Sequence, residues 1–147
     1  MASFPHAYTV SSAGGPSGVL PVESNGLPAL ETTAPPEFGG PEGYWSPETM
    51  LTGAVASCLI LTFRALAAPR RLAWSNLDVS CTGEVDKTRE GLKFTRFRID
   101  AALTIDAGAD EAQARALLES AKKHCLVTAS LNAETSLNAT ITKSGGS

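Results

Sequence analysis

The segment of residues 46–69 constrains the fold more than any other part of the sequence, because it predicts one long, apolar helix. Three signals mark the helix start: Ser46 is a good N-cap, Pro47 fits the first helical position, and Glu48 lies where the positive end of the helix dipole favours a carboxylate. Residues 50–63 contain no charged side chain. A helix that is apolar nearly all round is typical of a protein interior, so we expect a buried central helix.

Cys58 lies in the middle of the predicted helix, and a thiol in a buried helix is either an inert core residue or a reactive group. The other two cysteines, Cys81 and Cys125, stand far from it in the sequence. Without a Cys-x-x-Cys motif or a cluster of histidines, the three fit neither a structural zinc site nor a disulfide framework. We therefore expect no metal and no cofactor, and cysteines that are core residues or working thiols.

The length and charge of the chain limit the class of protein. Its 147 residues suffice for one domain with a substantial core, and we interpret residues 1–147 as a single domain. The net charge of -3 argues against nucleic acid or an anionic membrane as the main partner. The first residues lack a signal-peptide pattern, and the uncharged part of the helix is shorter than the ~20 residues that a bilayer requires. We expect a cytoplasmic protein.

The N-terminal third predicts short strands followed by a loop. Clusters of Ser, Gly and Asn separate β-prone pieces in residues 7–33, which predicts two or three short strands, with Pro21 at a sheet edge. Residues 34–44 are rich in Pro and Gly and predict a loop that leads to the helix. This loop brings Tyr44 and Trp45 to the start of the helix, where they either pack at the helix entry or line a substrate pocket.

Alternating apolar and polar residues predict the second sheet. Residues 77–85 and 96–105 alternate in this way around a polar turn, so we expect them to pair as a hairpin. Residues 136–143 show the same alternation and predict a closing strand. Cys81 falls on the inward face of the first strand, and we interpret it as a core residue.

Residues 110–123 predict an amphipathic helix. Its apolar stripe continues to Cys125, which places this thiol at the end of the helix on the side of the core. Because Cys58 lies on another core helix, the two thiols could meet.

Two motifs and the order of the predicted elements carry a resemblance to a known family. The motifs are Ser46-Pro47-Glu48 followed by Ala56-Ser57-Cys58-Leu59, and Lys123-His124-Cys125-Leu126-Val127-Thr128. The chain resembles the osmotically inducible protein C and organic hydroperoxide resistance (OsmC/Ohr) family over most of its length. The family often has proline after the second cysteine, where this chain has Leu126.

The resemblance implies an α+β, OsmC-like fold in which antiparallel sheets wrap around a buried central helix. It also implies an intertwined homodimer with active sites at the subunit interface. We divide the predicted domain into three parts. Residues 1–45 hold the N-terminal strands and the loop, and residues 46–68 form the central cysteine helix. Residues 73–147 hold the hairpin, the second cysteine helix and the final strand.

The resemblance further implies a thiol peroxidase that acts on organic hydroperoxides and is recycled by an external dithiol. In that reaction a thiolate becomes a sulfenic acid, which condenses with a second thiol to form a disulfide. By the resemblance, Cys58 is the peroxidatic thiol and Cys125 the resolving thiol. Glu48 is the carboxylate that orients an activating arginine.

The activating arginine of the family is missing from this chain. The family supplies it from the N-terminal strand region, whereas the first 63 residues here contain neither lysine nor arginine. The candidates to replace this arginine are Arg64, which could act only across a dimer, and Lys122, Lys123 and His124 beside the second cysteine. The alternative function is therefore an OsmC-like protein without peroxidase activity, which binds a small hydrophobic ligand or senses oxidants.

Overall fold

The computed structural model describes residues 3–145, which form two compact units. The chain passes from the first unit to the second between Met50 and Leu51. Two three-stranded sheets and a long helix make up the α+β fold that the sequence predicts. The interpretation of residues 1–147 as a single domain stays a prediction.

The first unit contains a small antiparallel sheet. Its strands are β1 (Ser11–Ser12), β2 (Leu20–Glu23) and β3 (Leu30–Thr32), in the order β1-β2-β3. The prediction of an edge position for Pro21 is wrong, because Pro21 lies in the middle strand. That strand tolerates a residue without an N–H since β1 pairs only with Val22 and Glu23, and the Pro21 carbonyl accepts a hydrogen bond from Ser12 Oγ at 2.7 Å.

A loop connects this sheet to the long helix α1 (Pro47–Arg70) and contains a single 3-10 turn at Pro36–Phe38. The helix begins as predicted. The Thr49 N–H donates to Ser46 Oγ at 3.1 Å, and the Ser46 N–H donates to Thr49 Oγ1 at 2.8 Å. This reciprocal pair is a capping box, which satisfies two amides at the helix start.

The end of α1 differs from the predicted boundary at residue 68. The helix continues to Arg70 and includes Pro69 in its last turn, where the missing N–H of the proline removes one intrahelical hydrogen bond. Arg71 then takes a left-handed conformation with φ of 54°, and this residue ends the helix.

Only one face of α1 is buried within the described chain. The fully buried residues of the helix share a four-residue spacing, and they are Val55, Leu59, Phe63 and Ala67. Leu61 on another face is 54% exposed. The predicted central helix is therefore buried along one face in a single chain, which leaves part of its apolar surface uncovered.

The length and composition of α1 alone would allow it to cross a membrane, since its mean hydropathy reaches 1.7. The core helix of a soluble protein can have the same length and composition. In this structure the buried stripe of α1 packs in the core of the second unit.

The second unit contains the long hairpin and the closing strand. Strands β4 (Trp74–Thr88) and β5 (Gly91–Ile105) pair antiparallel, which confirms the predicted hairpin. Strand β6 (Glu134–Lys143) lies beside β5 and runs parallel to it, so this sheet is mixed rather than purely antiparallel.

Two helices follow the hairpin. Helix α2 (Glu111–His124) is capped by Asp110, whose carboxylate accepts hydrogen bonds from the amides of Ala112 and Gln113. The one-turn helix α3 (Leu126–Ala129) comes directly after Cys125.

The core of the second unit lies between α1, α2 and the inner face of β5. The buried residues of β5 and α2 are Phe97, Ile99, Ala101, Leu103, Ile105, Ala114, Leu117, Leu118 and Ala121. The ring of Phe63 meets the ring of Trp74 edge to face, with centroids 5.0 Å apart. Cys81 is partly buried against this core, as predicted.

Candidate functional site

Cys58 lies in the middle of α1 and is partly buried. Thr62 stands one helical turn later, and residues four apart lie on the same side of a helix. The Cys58 Sγ and the Thr62 Oγ1 are 3.7 Å apart, within hydrogen-bonding distance for sulfur. The thiol therefore has a hydroxyl beside it.

Cys125 lies where the chain turns from α2 to α3, and only 2% of it is exposed. Its backbone is held in place by the hydroxyl of Thr128, which donates to the Cys125 carbonyl at 3.2 Å. The Ala129 N–H donates to the same carbonyl at 3.0 Å. These contacts fix the position of the second thiol.

The fold brings the side chains of Cys58 and Cys125 close enough for each thiol to change the pKa of the other. Both residues are free thiols in this structure, as is Cys81 on β4. The first turn after Cys125 also directs the backbone N–H groups of Leu126 and Val127 to the Cys58 sulfur. Four neutral groups from two segments of the second unit, helix α1 and the turn of residues 125–127, thus interact with one thiol.

The environment lowers the pKa of the Cys58 thiol below its ordinary value. Burial raises this pKa, but hydrogen bonds that stabilise the thiolate outweigh the effect of burial. These bonds come from the Cys125 thiol, the Val127 amide, the Thr62 hydroxyl and the Leu126 amide, in order of decreasing effect. None of these principal contributions comes from a charged side chain.

The pKa of Cys125 shifts in the opposite direction. Burial raises it most, and the neighbouring Cys58 raises it further because Cys125 donates its proton to the Cys58 thiolate. The backbone and side chain of Thr128 partly oppose this rise. When this pair of thiols loses one proton, the negative charge is therefore favoured on Cys58.

Glu48 lies in the first turn of α1, and its Oε1 atom is buried. Cys58 follows Glu48 by ten positions in the sequence, which corresponds to about 15 Å of rise along a helix axis. Glu48 is not among the groups that chiefly set the pKa of either thiol. Its predicted role as a site residue stays a prediction.

The candidate cations lie on the surface. Arg64 is exposed on α1, and Lys123 and His124 are exposed in the last turn of α2, where Lys122 is half-buried. The imidazole Nδ1 of His124 lies 2.9 Å from the carbonyl of Ser120 on its own helix. In residues 3–145 no group of three or more His, Cys, Asp or Glu side chains is placed to hold a metal ion.

Tyr44 and Trp45 are both exposed at the helix entry. The Trp45 carbonyl accepts a hydrogen bond from the Thr33 N–H at 3.0 Å, which ties this entry to the end of β3. Both aromatic residues also border a shallow surface depression with Gly43 and Thr49. The hydrogen bond at the helix entry agrees with the packing interpretation of these aromatics, and the surface depression agrees with the pocket interpretation.

Sequence reasoning missed the donors around the Cys58 sulfur. The four-residue spacing of Cys58 and Thr62 was a usable signal, because that spacing places two side chains together on a helix. The amides of Leu126 and Val127 had no such signal, since every residue except proline carries a backbone N–H.

Comparison with known proteins identifies a family. The family model described as OsmC-like protein matches residues 39–140 of this chain. The "Uncharacterized protein YmaD" of Bacillus subtilis is 30% identical over 130 residues, which cover 85% of this chain and 85% of the relative.

Solved structures share the fold at low sequence identity. An OsmC-like protein of unknown function from Vibrio cholerae superposes with a TM-score of 0.84 at 16% identity, covering 92% of this chain and 99% of the other. An organic hydroperoxide resistance protein OsmC from Legionella pneumophila gives a TM-score of 0.74 at 20% identity, with coverages of 93% and 97%. The organic hydroperoxide resistance protein OhrB of Bacillus subtilis gives 0.68 at 16% identity, with coverages of 91% and 98%.

Proposed function

The chain belongs to the OsmC-like protein family, and from this premise we propose that it is a thiol peroxidase that reduces organic hydroperoxides. The observation that carries the proposal is the pair of interacting free thiols, Cys58 and Cys125, whose pKa values shift in opposite directions. A peroxidase needs one thiol that is a thiolate near neutral pH and a second one close enough to condense with the product. The names of the structural neighbours from Legionella pneumophila and Bacillus subtilis agree with this chemistry.

The proposed reaction begins at the Cys58 thiolate. Its sulfur attacks the terminal oxygen of the hydroperoxide, the O–O bond breaks, and Cys58 becomes a sulfenic acid while an alkoxide leaves. The alkoxide takes up a proton to give the alcohol, and the Cys125 thiol beside Cys58 can supply this proton.

The second step joins the two cysteines. The Cys125 sulfur attacks the Cys58 sulfenic acid, and the hydroxyl group leaves as water once it is protonated. An external dithiol then reduces the disulfide by thiol–disulfide exchange and is itself oxidised. A cytoplasmic location, where such dithiols are kept reduced, belongs to the same proposal, and Glu48 is retained in it on the family resemblance alone.

The direct test is to add one equivalent of an alkyl hydroperoxide to the reduced protein and to count free thiols. We expect the rapid loss of two of the three thiols and a mass decrease of about 2 Da, because a disulfide forms with the loss of two hydrogens. Peptide mapping should place the disulfide between Cys58 and Cys125. Thiols that stay reduced for many minutes would overturn the proposed activity.

A second candidate function rests on the absence of lysine and arginine from the first 63 residues. A member of the family that lacks the activating arginine could hold a small apolar ligand, or sense oxidants, without turnover. In that case the thiols stay reduced under the same hydroperoxide dose, and an apolar molecule copurifies with the protein. Mass spectrometry of an organic extract of the purified protein detects such a molecule.

We also propose that two copies of the chain form a homodimer that covers the exposed apolar surface of α1. Changing Leu61 to glutamate places a charge on that surface, and burying an unpaired carboxylate costs several kcal/mol. Leu61→Glu is therefore expected to be monomeric in light scattering after size-exclusion chromatography, at concentrations where the parent protein is a dimer.

Leu92→Glu is the matched control, because Leu92 is exposed to a similar degree, 57%, and lies at the start of β5 rather than on α1. This variant is expected to keep the mass of the parent protein. A monomeric parent protein, or a Leu61→Glu variant that stays dimeric, would contradict the proposed use of α1.

A further inference from the structure

Among residues 3–145, the groups that chiefly lower the pKa of Cys58 carry no positive charge, and the structure suggests how they activate this thiol; this inference rests on the proposed function. We propose that Thr62 is an activating residue of the site: its hydroxyl donates a hydrogen bond to the Cys58 thiolate and acts with the amides of Leu126 and Val127 in place of a cation. The residue is close enough for this role, since its Oγ1 lies 3.7 Å from the Cys58 sulfur.

The position of Thr62 on α1 favours a stable contact. Thr62 is half-buried, which shields its hydroxyl from competing water. Its β-branched side chain has few rotamers in a helix, so the hydroxyl loses little further freedom when it meets the sulfur. A thiolate has no proton to donate, and the hydroxyl must therefore be the donor once Cys58 is ionised.

The surroundings of the sulfur supply donors without supplying charge. Burial raises the pKa of Cys58, and the groups that chiefly lower it are the Cys125 thiol, the Val127 amide, the Thr62 hydroxyl and the Leu126 amide. Arg64 stands two residues after Thr62 but is exposed. Hydrogen bonds to the ionised form stabilise it as a nearby cation would.

The test is the pH dependence of Cys58 alkylation by iodoacetamide, followed on the Cys58 peptide by mass spectrometry. Thr62→Val keeps the shape of the side chain and removes the hydroxyl. We expect the alkylation profile to move to higher pH, with a rate at neutral pH about three- to tenfold lower, because one hydrogen bond to the thiolate is lost. The rate at high pH, where every thiol is ionised, should be unchanged.

Two matched variants separate the hydroxyl from packing. Thr62→Ser keeps the donor and is expected to keep the profile of the parent protein. Thr62→Ala removes the donor without adding an apolar group, and it replaces the valine variant if valine disturbs the fold. A parent-like profile in both the valine and the alanine variants would overturn the role of Thr62.

A further pair of measurements tests the absence of a cation. Arg64→Gln and an increase in ionic strength to about 1 M should both leave the profile in place, because neutral donors are not screened by salt. A profile that moves to higher pH in either case would overturn the proposal that neutral groups activate Cys58.

The two proposals fail separately. If hydroperoxide leaves the thiols reduced but Thr62→Val still shifts the alkylation profile, the peroxidase function is wrong and the role of Thr62 stands. If the disulfide forms at the same rate in the parent protein and in Thr62→Val, with identical alkylation profiles, the function stands and the role of Thr62 is wrong.

Discussion

Cys58→Ser is expected to abolish the reduction of alkyl hydroperoxides, with a loss on the order of 10³-fold or more in the rate of hydroperoxide consumption. The serine hydroxyl is not ionised near neutral pH, whereas the Cys58 thiol has a lowered pKa. The measurement is hydroperoxide consumption with an excess of dithiol, compared with the dithiol alone.

Cys125→Ser is expected to fail at a different step. Its Cys58 thiol can still attack the hydroperoxide, and the serine hydroxyl can still donate a hydrogen bond to the thiolate. The first turnover should therefore occur, and intact mass should show the gain of about 16 Da that marks a sulfenic acid, without a disulfide. Continued exposure should add further oxygen atoms at Cys58, because the resolving thiol is gone.

Cys81→Ser is the matched control for both variants. Cys81 lies on β4, and burial raises the pKa of its thiol, so it should stay reduced while Cys58 reacts. A Cys58→Ser variant with parent activity, or a Cys125→Ser variant that takes up no oxygen, would contradict the assigned roles. If Cys125→Ser loses the first turnover while Cys58→Ser keeps it, the assignment of the two thiols is reversed.

Much of the fold could be predicted because its signals are local. Ser46 and Pro47 mark the start of α1, the alternation of residues marks β4 and β5, and Asp110 marks the start of α2. Each of these signals depends on residues a few positions apart.

The features that the sequence did not show depend on distant parts of the chain. The middle-strand position of Pro21 follows from the shortness of β1, which the strand's own sequence does not contain. The exposure of Leu61 follows from what lies against α1, and composition does not show how much of an apolar helix one chain can cover.

In the candidate site, too, local patterns could be read from the sequence, whereas features that depend on distant residues could not. The stripe that ends at Cys125 indicated that this thiol faces the core, and the structure brings it to Cys58. The lowered pKa of Cys58 could not be predicted, because it depends partly on the amides of Leu126 and Val127 in a turn whose geometry only the folded chain defines. The positions of charged residues in the sequence do not indicate these donors, because the groups that chiefly lower the pKa of Cys58 are neutral.

Phe63→Ala is expected to lower the free energy of unfolding by about 3–5 kcal/mol, the cost of removing a large side chain from a packed core. Phe63 is fully buried, and its ring packs edge to face on Trp74, so the change leaves a cavity between α1 and β4. Urea denaturation at one fixed protein concentration measures the loss, because dimerisation would make stability depend on concentration.

Leu92→Ala is the control for this stability measurement, since Leu92 is 57% exposed and its truncation should change the free energy of unfolding by less than about 0.5 kcal/mol. Phe63→Leu should lose less than Phe63→Ala, because leucine refills part of the cavity. Phe63 also follows Thr62 directly on α1, so movement of the helix into the cavity would displace the hydroxyl that contacts Cys58. A Phe63→Ala variant as stable as Leu92→Ala would show that the contact between Phe63 and Trp74 does not fix α1 on the sheet.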